Sequence, residues 1–351
     1  MKKMMLVAVS ALLSTAAWAQ SAGYSVVAKG FDQVEGEKVY LYRFDGGNPV
    51  AVDSAVVKGG AFTFKGDATG VEGYRLVSKG LKERRLAEFI LENGNITLTR
   101  DAERVTVGGS VANEGYAAYN KALEPTIKRV REIAIAVRDT TVTEEQRNAL
   151  IEEYYGLQDK MTAVASEHME LNINNRFGAY LLKSQGREFD AEKVVALIEK
   201  MPKEYCDAGV QEVKKFAEIV IKTQPGKPMT DFTQNAPDGT PVTLSAIVKQ
   251  NKYTLVDFWA SWCGPCRKDM PHLVKVYEQY KSKGLEIVGV SLDDKEALWK
   301  KGLETLKMTW VQMSDLKGWR NEGAGLYAVR GIPATVLIDQ NGIIVARDLR
   351  G

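Results

Sequence analysis

Cys263 and Cys266, separated by Gly264 and Pro265, are the residue pair of this chain best suited to chemistry. They lie where a nearly continuous apolar stretch, residues 253–260, predicted as a central parallel strand, gives way to a predicted helix. The N-terminus of a helix carries partial positive charge, which favours a thiolate at Cys263. Cys266 lies about one turn further along the same face, so it can close a disulfide with Cys263. The spacing therefore predicts a redox-active dithiol, with Cys263 exposed to partners.

Two other uses of a cysteine pair fit the sequence less well. Half a zinc site would need further ligands, yet there is no second such pair and the only histidines are His168 and His272. A structural disulfide across so short a loop would constrain the unfolded chain little, and a chain of 351 residues can build a core without one. The third cysteine, Cys206, is interpreted as a buried or half-buried free thiol.

The N-terminus has the three features of a secretory signal peptide in the right order. Lys2 and Lys3 precede an apolar stretch at residues 6–17, and Ala17 and Ala19 supply the small residues of a cleavage site. We therefore predict a signal peptide at residues 1–19 and a periplasmic or otherwise extracytoplasmic, oxidising location.

Composition excludes some classes of partner. No run of 18 apolar residues occurs, so no membrane span is expected after signal cleavage. The net charge of +2, from 47 basic and 45 acidic residues, gives no reason to expect a nucleic acid as partner.

The pattern of apolar residues divides the mature chain into three parts. Residues 20–110 alternate with period two, which predicts an antiparallel β-sandwich with strands at 24–28, 39–44, 51–57, 61–65, 74–78, 87–91 and 96–99. Residues 111–224 have helical spacing, with helices at 113–138, 143–172, 176–185, 190–200 and 204–223. In this part Thr143 with Gln146 has the form of a capping box, and Asp190 is a candidate N-cap.

The third part, residues 225–351, has the pattern of an α/β domain after a linker rich in proline and glycine. We predict short strands at 231–233 and 242–244, buried strands at 253–260 and 285–291, helices at 263–281 and 295–306, and a terminal hairpin of 335–339 with 343–347.

This third part resembles a known family. Residues 256–266, VDFWASWCGPC, resemble the active-site signature of the thioredoxin superfamily. KDMP at 268–271 and VSLD at 290–293 are more similar to its TlpA/ResA-like extracytoplasmic branch, and GIPAT at 331–335 is similar to the family's cis-proline segment. The resemblance covers residues 225–351 and implies a thioredoxin-like fold. The preceding residues resemble the sandwich-plus-helical extension of some TlpA-like proteins.

The resemblance also implies roles for three residues. Cys263 would be the nucleophile and Cys266 the resolving thiol. Asp257 would be a buried carboxyl group under the disulfide, with a raised pKa suited to proton exchange with Cys266. The alternative for Asp257 is a hydrogen-bonded structural residue of the strand.

Substrate contacts are implied around the motif as well. Trp262 would cover the cysteines, and Gly264 and Pro265 would form the exposed turn between them, with Pro265 in the first helical turn. Pro333, if its peptide bond is cis, would present the Ile332 backbone to an extended substrate segment. The frequency of cis proline alone would not support this, because only about 5–6% of the peptide bonds before proline are cis in folded proteins.

The implied function is that of an extracytoplasmic thiol–disulfide oxidoreductase. It would reduce disulfides of exported proteins, in cytochrome c maturation or redox homeostasis, with electrons from a membrane thiol reductant and without a cofactor or metal. A disulfide oxidase or isomerase of the Dsb type is the first alternative. A partner-binding module with secondary redox activity is the second.

One feature departs from the resemblance. Thioredoxin-like domains usually end with a helix after the last hairpin, and this sequence stops at Arg350 and Gly351. Either the sequence is truncated or another element covers that face of the sheet. We expect an apolar patch there unless the helical region or a partner subunit lies over it.

Overall fold

The computed structural model describes residues 23–45, 48–67, 73–79, 85–102 and 104–349, so the predicted signal peptide lies outside the described residues. The chain divides into two compact units, Met1–Leu181 and Leu182–Gly351, and each has its own hydrophobic core. Within the described ranges, no helix combines the length and apolar character needed to cross a bilayer.

The first unit contains the predicted sandwich. Its strands are β1 (Tyr24–Lys29), β2 (Lys38–Asp45), β3 (Asn48–Val56), β4 (Phe62–Gly66), β5 (Gly73–Ser78), β6 (Arg85–Leu91), β7 (Gly94–Arg100) and β8 (Val105–Gly108). They form two four-stranded sheets in the orders β4–β1–β7–β8 and β3–β2–β5–β6. Val26 and Phe64 of the first sheet join Leu41 and Phe89 of the second in one buried core.

One ladder differs from the predicted antiparallel arrangement. β1 and β7 run parallel, with Val26 opposite Ile96. Alternation of apolar and polar residues shows which face of a strand is buried, but it is the same for parallel and antiparallel neighbours. The short edge strand β8 was also not predicted.

Five helices follow: α1 (Val111–Ala136), α2 (Glu144–Leu171), α3 (Arg176–Gln185), α4 (Ala191–Lys200) and α5 (Ala208–Lys222). The capping box of Thr143 with Gln146 is confirmed, and Asp190 caps α4 by accepting a hydrogen bond from the Lys193 backbone at 2.8 Å. The last helix begins later than the predicted residue 204, because Asp207 accepts the Val210 N–H at 3.0 Å and acts as its N-cap.

The second unit contains the α/β domain. Its further elements are β9 (Thr233–Asn235), β10 (Pro241–Thr243), α6 (Leu244–Val248), β11 (Tyr253–Trp259), α7 (Gly264–Tyr280), β12 (Leu285–Ser291), α8 (Glu296–Leu306), β13 (Val311–Met313), α9 (Glu322–Leu326), β14 (Ala334–Asp339) and β15 (Ile344–Arg347). Five strands form a sheet in the order β13–β12–β11–β14–β15. β11 pairs parallel with β12 and antiparallel with β14, which gives the expected crossover and terminal hairpin.

Helices α4 and α5 belong to this second unit. The Arg347 guanidinium at the end of β15 donates hydrogen bonds to the Thr223 carbonyl at 3.3 Å, to the Thr223 hydroxyl, and to the Tyr327 carbonyl at 2.6 Å. Arg330 pairs with Glu188 at 2.7 Å. The end of α5 is thus fastened directly to the α/β domain. Val345 and Leu349 are exposed near the end of the described chain. The apolar patch expected on one face of this sheet remains a prediction.

Candidate active site

The cysteine pair lies at the junction of β11 and α7, as the sequence predicts. A turn follows Trp259, closed by a hydrogen bond from the Cys263 N–H to the Ala260 carbonyl at 3.1 Å. Cys263 is the N-cap of α7, and its sulfur accepts the Cys266 N–H at 3.1 Å. The first turn of α7 contains Pro265 and no acidic side chain, so nothing within that turn offsets the partial positive charge of the helix terminus.

The two cysteines are joined in a disulfide, with their Cα atoms 5.3 Å apart. Cys266 is only 2% exposed, in keeping with its predicted deeper position. Cys263 is 4% exposed, so the expectation that it would be exposed to partners is wrong for the disulfide form. Its sulfur is bonded to Cys266 on one side and lies against the Ile332 carbonyl on another.

The Ile332–Pro333 segment reaches the disulfide through the pairing of β14 with β11, which sets Ala334 opposite Phe258. The Ile332–Pro333 peptide bond is cis. The Ile332 carbonyl oxygen lies 3.6 Å from the Cys263 sulfur. A disulfide sulfur has no hydrogen, so this is a contact here, whereas the reduced Cys263 thiol has a proton to donate to that oxygen.

Asp257 lies in the middle of β11 and is 3% exposed, in keeping with the apolar strand around it. It is opposite Gly289 of β12 and Thr335 of β14. A carboxyl group so buried favours its neutral form over its charged form, unless neighbouring charges or hydrogen bonds compensate.

Asp293 is a residue to which the sequence analysis assigned no role. It is 1% exposed. It accepts hydrogen bonds from the Ser261 N–H at 3.0 Å, the Ser261 hydroxyl at 2.6 Å and the Ser291 hydroxyl at 2.8 Å. Ser261 lies two residues before Cys263, so this carboxylate holds the turn that carries Cys263. Its position directly after a buried parallel strand, where binding groups of α/β sheets collect, was the available signal.

The outer surface of the site is aromatic. Trp262 is 50% exposed, and Gly264 and Pro265 are exposed beside it. Trp319, which the sequence analysis did not single out, is 53% exposed, and its ring lies 6.1 Å from that of Trp262. No pattern near Trp319 distinguishes it from an ordinary loop residue.

In the ranges that the structure describes, no group of three or more histidine, cysteine or acidic residues is placed to hold a metal ion. Cys206 is a free thiol whose sulfur lies 3.9 Å from the carbonyls of Ile198 and Met201.

Comparisons with known proteins match the two ends of the chain separately. Residues 225–347 match the AhpC/TSA family, and residues 27–116 match a domain of unknown function, DUF4369. The chain is 36% identical over 107 residues to the thiol-disulfide oxidoreductase ResA of Oceanobacillus iheyensis, covering 30% of this chain and 53% of that protein. It is 31% identical over 126 residues to the ResA of Bacillus cereus, covering 36% of this chain and 70% of that protein.

Among solved structures, the thioredoxin domain of a thiol-disulfide oxidoreductase from Bacteroides vulgatus is 38% identical, with a TM-score of 0.34. That match covers 36% of this chain and 89% of the Bacteroides domain. The chain thus spans about half the length of the first ResA relative and more than two thirds of the second.

Proposed function

This chain belongs, through its C-terminal domain, to the ResA-like thiol–disulfide oxidoreductases, and from that premise we propose that it reduces disulfide bonds in protein substrates. One observation carries the proposal. Cys263 and Cys266 are bonded at the N-terminus of α7, with the Ile332 carbonyl 3.6 Å from the Cys263 sulfur.

The proposed reaction begins with the reduced pair. The Cys263 thiolate attacks one sulfur of the substrate disulfide, and the other substrate sulfur leaves as a thiolate that takes up a proton. The Cys266 thiol then loses its proton and attacks the Cys263 sulfur, which releases the second substrate thiolate. Two electrons pass to the substrate, and the enzyme is left as the Cys263–Cys266 disulfide. A thiol reductant must return two electrons before the next cycle.

Proton transfer at Cys266 is assigned to Asp257 in this proposal. Cys266 is buried, so water has poor access to its proton, and a nearby carboxylate is a suitable base. Asp257 is buried in the strand that leads directly to the motif. As a neutral acid it would later return the proton to Cys266 when the disulfide is reduced again.

The cellular setting of the proposal comes from the sequence. The predicted signal peptide at residues 1–19 supports a periplasmic or extracytoplasmic enzyme that acts on exported proteins. A membrane thiol reductant would supply the electrons, and cytochrome c maturation or redox homeostasis would be the process served. The proposed organisation is a sandwich domain at 20–110, a helical region at 111–224 and the thioredoxin-like domain at 225–351.

The experiment is insulin reduction by the purified protein with dithiothreitol as reductant. Cys263→Ser is expected to abolish turnover, because no other residue replaces the attacking thiolate. Cys266→Ser is expected to accumulate mixed disulfides with insulin, seen on non-reducing gels. Cys206→Ser is the matched control and keeps wild-type activity, since Cys206 is a free thiol outside the motif. Activity retained in Cys263→Ser would refute the assignment of the nucleophile.

A further inference from the structure

Two exposed tryptophans lie next to each other, close to the cysteine motif. Trp262 precedes Cys263 directly in the chain, and Trp319 lies on a 3₁₀ turn at Gly318–Arg320. Their rings are 6.1 Å apart and tilted by 53°. Single exposed apolar side chains are common on protein surfaces, but a contiguous apolar patch with polar residues around it is typical of an interaction site.

Both tryptophans are carried by backbone that buried polar groups hold in place. Ser261, before Trp262, is fixed by the Asp293 carboxylate. On the other side, the Asp315 carboxylate accepts the Lys317 N–H at 3.1 Å and the Asn321 side-chain amide at 2.9 Å. Asn321 itself is buried, so the turn that carries Trp319 is fastened to the core. The two indole rings are therefore held in an exposed arrangement by the backbone beneath them.

The backbone just before the Trp319 turn is also held in a fixed conformation. Leu316 has a φ of 55°, in the left-handed region that non-glycine residues rarely adopt. Its N–H is accepted by the buried Ser314 hydroxyl at 3.1 Å, which holds that conformation. Unfavourable backbone conformations that the surrounding structure enforces cluster at binding sites.

A cavity of about 500 Å³ lies between the two tryptophans. Leu316 contributes apolar surface to it together with the two indole rings, and Lys317, Arg320 and Asp294 line it with charged groups of both signs. Ligand sites combine apolar surface with a few polar groups, and in this cavity the polar surface is the larger share. Trp262 lines the cavity and directly precedes Cys263 in the chain, which brings the cavity next to the cysteine motif.

We propose that this cavity binds an aromatic side chain next to the cysteine of an extended substrate polypeptide. The inference rests on the proposed function and names its substrate class: segments with an aromatic residue flanking the disulfide. Two tilted indole rings offer faces and edges to a third ring, an arrangement that aromatic groups favour.

The experiment compares two synthetic peptides, each with one cysteine held as a mixed disulfide with free cysteine. One has phenylalanine on both sides of its cysteine and the other has alanine. The wild-type full chain, pre-reduced and in excess, is expected to reduce the phenylalanine peptide in a single turnover with a second-order rate constant about tenfold higher, the size of preference that one apolar contact supplies. In Trp319→Ala the ratio of the two values falls towards one, and in Trp319→Phe most of it is kept.

Tyr280→Ala is the matched control, because Tyr280 is also an exposed aromatic residue but ends α7, far along the helix from the disulfide. It keeps both the activity and the ratio. A wild-type protein that reduces both peptides equally, or a Trp319→Ala variant with the full ratio, overturns the docking proposal and leaves the reductase intact. A wild-type protein that reduces neither peptide overturns the proposed function and this inference with it.

Discussion

At the scale of single residues, the reactivity of Cys263 depends on how its sulfur is held. As the N-cap of α7 it accepts the Cys266 N–H, and it faces the positive end of the helix. Both effects stabilise the Cys263 thiolate, the form that attacks a disulfide. Cys266 is buried as well, and the proposed mechanism assigns its proton transfer to Asp257.

The reduction potential of the Cys263–Cys266 couple is the first prediction at this scale. The Gly264-Pro265 pair between the cysteines resembles that of thioredoxin. The reduction potential of thioredoxin is about −270 mV, whereas that of DsbA is about −120 mV. We therefore expect a reducing couple. Equilibration with glutathione or dithiothreitol buffers measures it. A value above roughly −180 mV, where isomerases lie, would favour the oxidase or isomerase alternative.

Asp257 gives the second prediction. If it takes the proton of Cys266, Asp257→Asn should slow disulfide exchange at neutral pH by about 10²-fold where proton transfer limits the rate. Stopped-flow measurement of exchange between about pH 6 and pH 9 tests this, since only a proton carrier changes the pH profile.

Asp269→Asn is the control for that experiment, because Asp269 is another aspartate close to the motif, on α7, and is only partly buried. It should leave the pH profile unchanged. An Asp257→Asn protein with the wild-type rate throughout this range would make Asp257 a structural residue of β11.

At the scale of elements, the strand-to-helix junction depends on a side chain from the neighbouring strand. β11 ends at Trp259 and α7 begins at Gly264, and the turn between them is tied to Asp293, which follows β12. The parallel pairing of β11 with β12 brings the ends of both strands to the same edge of the sheet. The junction is therefore supported from outside its own stretch of sequence.

Asp293→Ala is expected to lower the free energy of unfolding by about 1–3 kcal/mol. The substitution leaves the half-buried Ser261 N–H and the buried Ser291 hydroxyl without their acceptor. Urea unfolding measures the loss. Asp294→Ala, at the exposed next position, should change stability by no more than about 0.5 kcal/mol. Equal effects of the two substitutions would show that the turn does not depend on this carboxylate.

At the scale of the whole molecule, helices α4 and α5 form one compact unit with the thioredoxin-like domain. Arg347 connects the end of α5 to β15 and to the Tyr327 carbonyl. Burial lowers the pKa of the Arg347 guanidinium, while Asp348 and Tyr327 act in the opposite direction. The hydrogen bonds to neighbouring carbonyls compensate for the partial burial of this cation.

Arg347→Met is expected to lower the stability of this unit by about 3 kcal/mol, since hydrogen bonds from a charged donor are lost and buried acceptors remain. Thermal unfolding followed by circular dichroism would show it. Arg330→Met is the comparison, because Arg330 pairs with Glu188 at an exposed position and such pairs contribute about 0–1 kcal/mol. A larger loss in Arg330→Met than in Arg347→Met would contradict this account.

The sequence by itself determined the parts of the protein that depend on neighbouring residues. The dithiol at a strand-to-helix junction, the capping box at Thr143 and the N-cap at Asp190 are all local, because hydrophobic periodicity and capping act within a few residues. The five predicted helices were placed correctly for the same reason, apart from their ends. The α/β pattern after residue 224 likewise predicted the central sheet.

Only the tertiary structure decided which distant residues meet. The Ile332 carbonyl reaches Cys263 because β14 pairs with β11, and Trp319 faces Trp262 because two separate turns are fastened to one core. Alternation in a strand reveals its buried face but neither its partner nor its direction, so the parallel pairing of β1 with β7 was open as well. Contacts of this kind depend on the packing of whole elements, which no short stretch of sequence records.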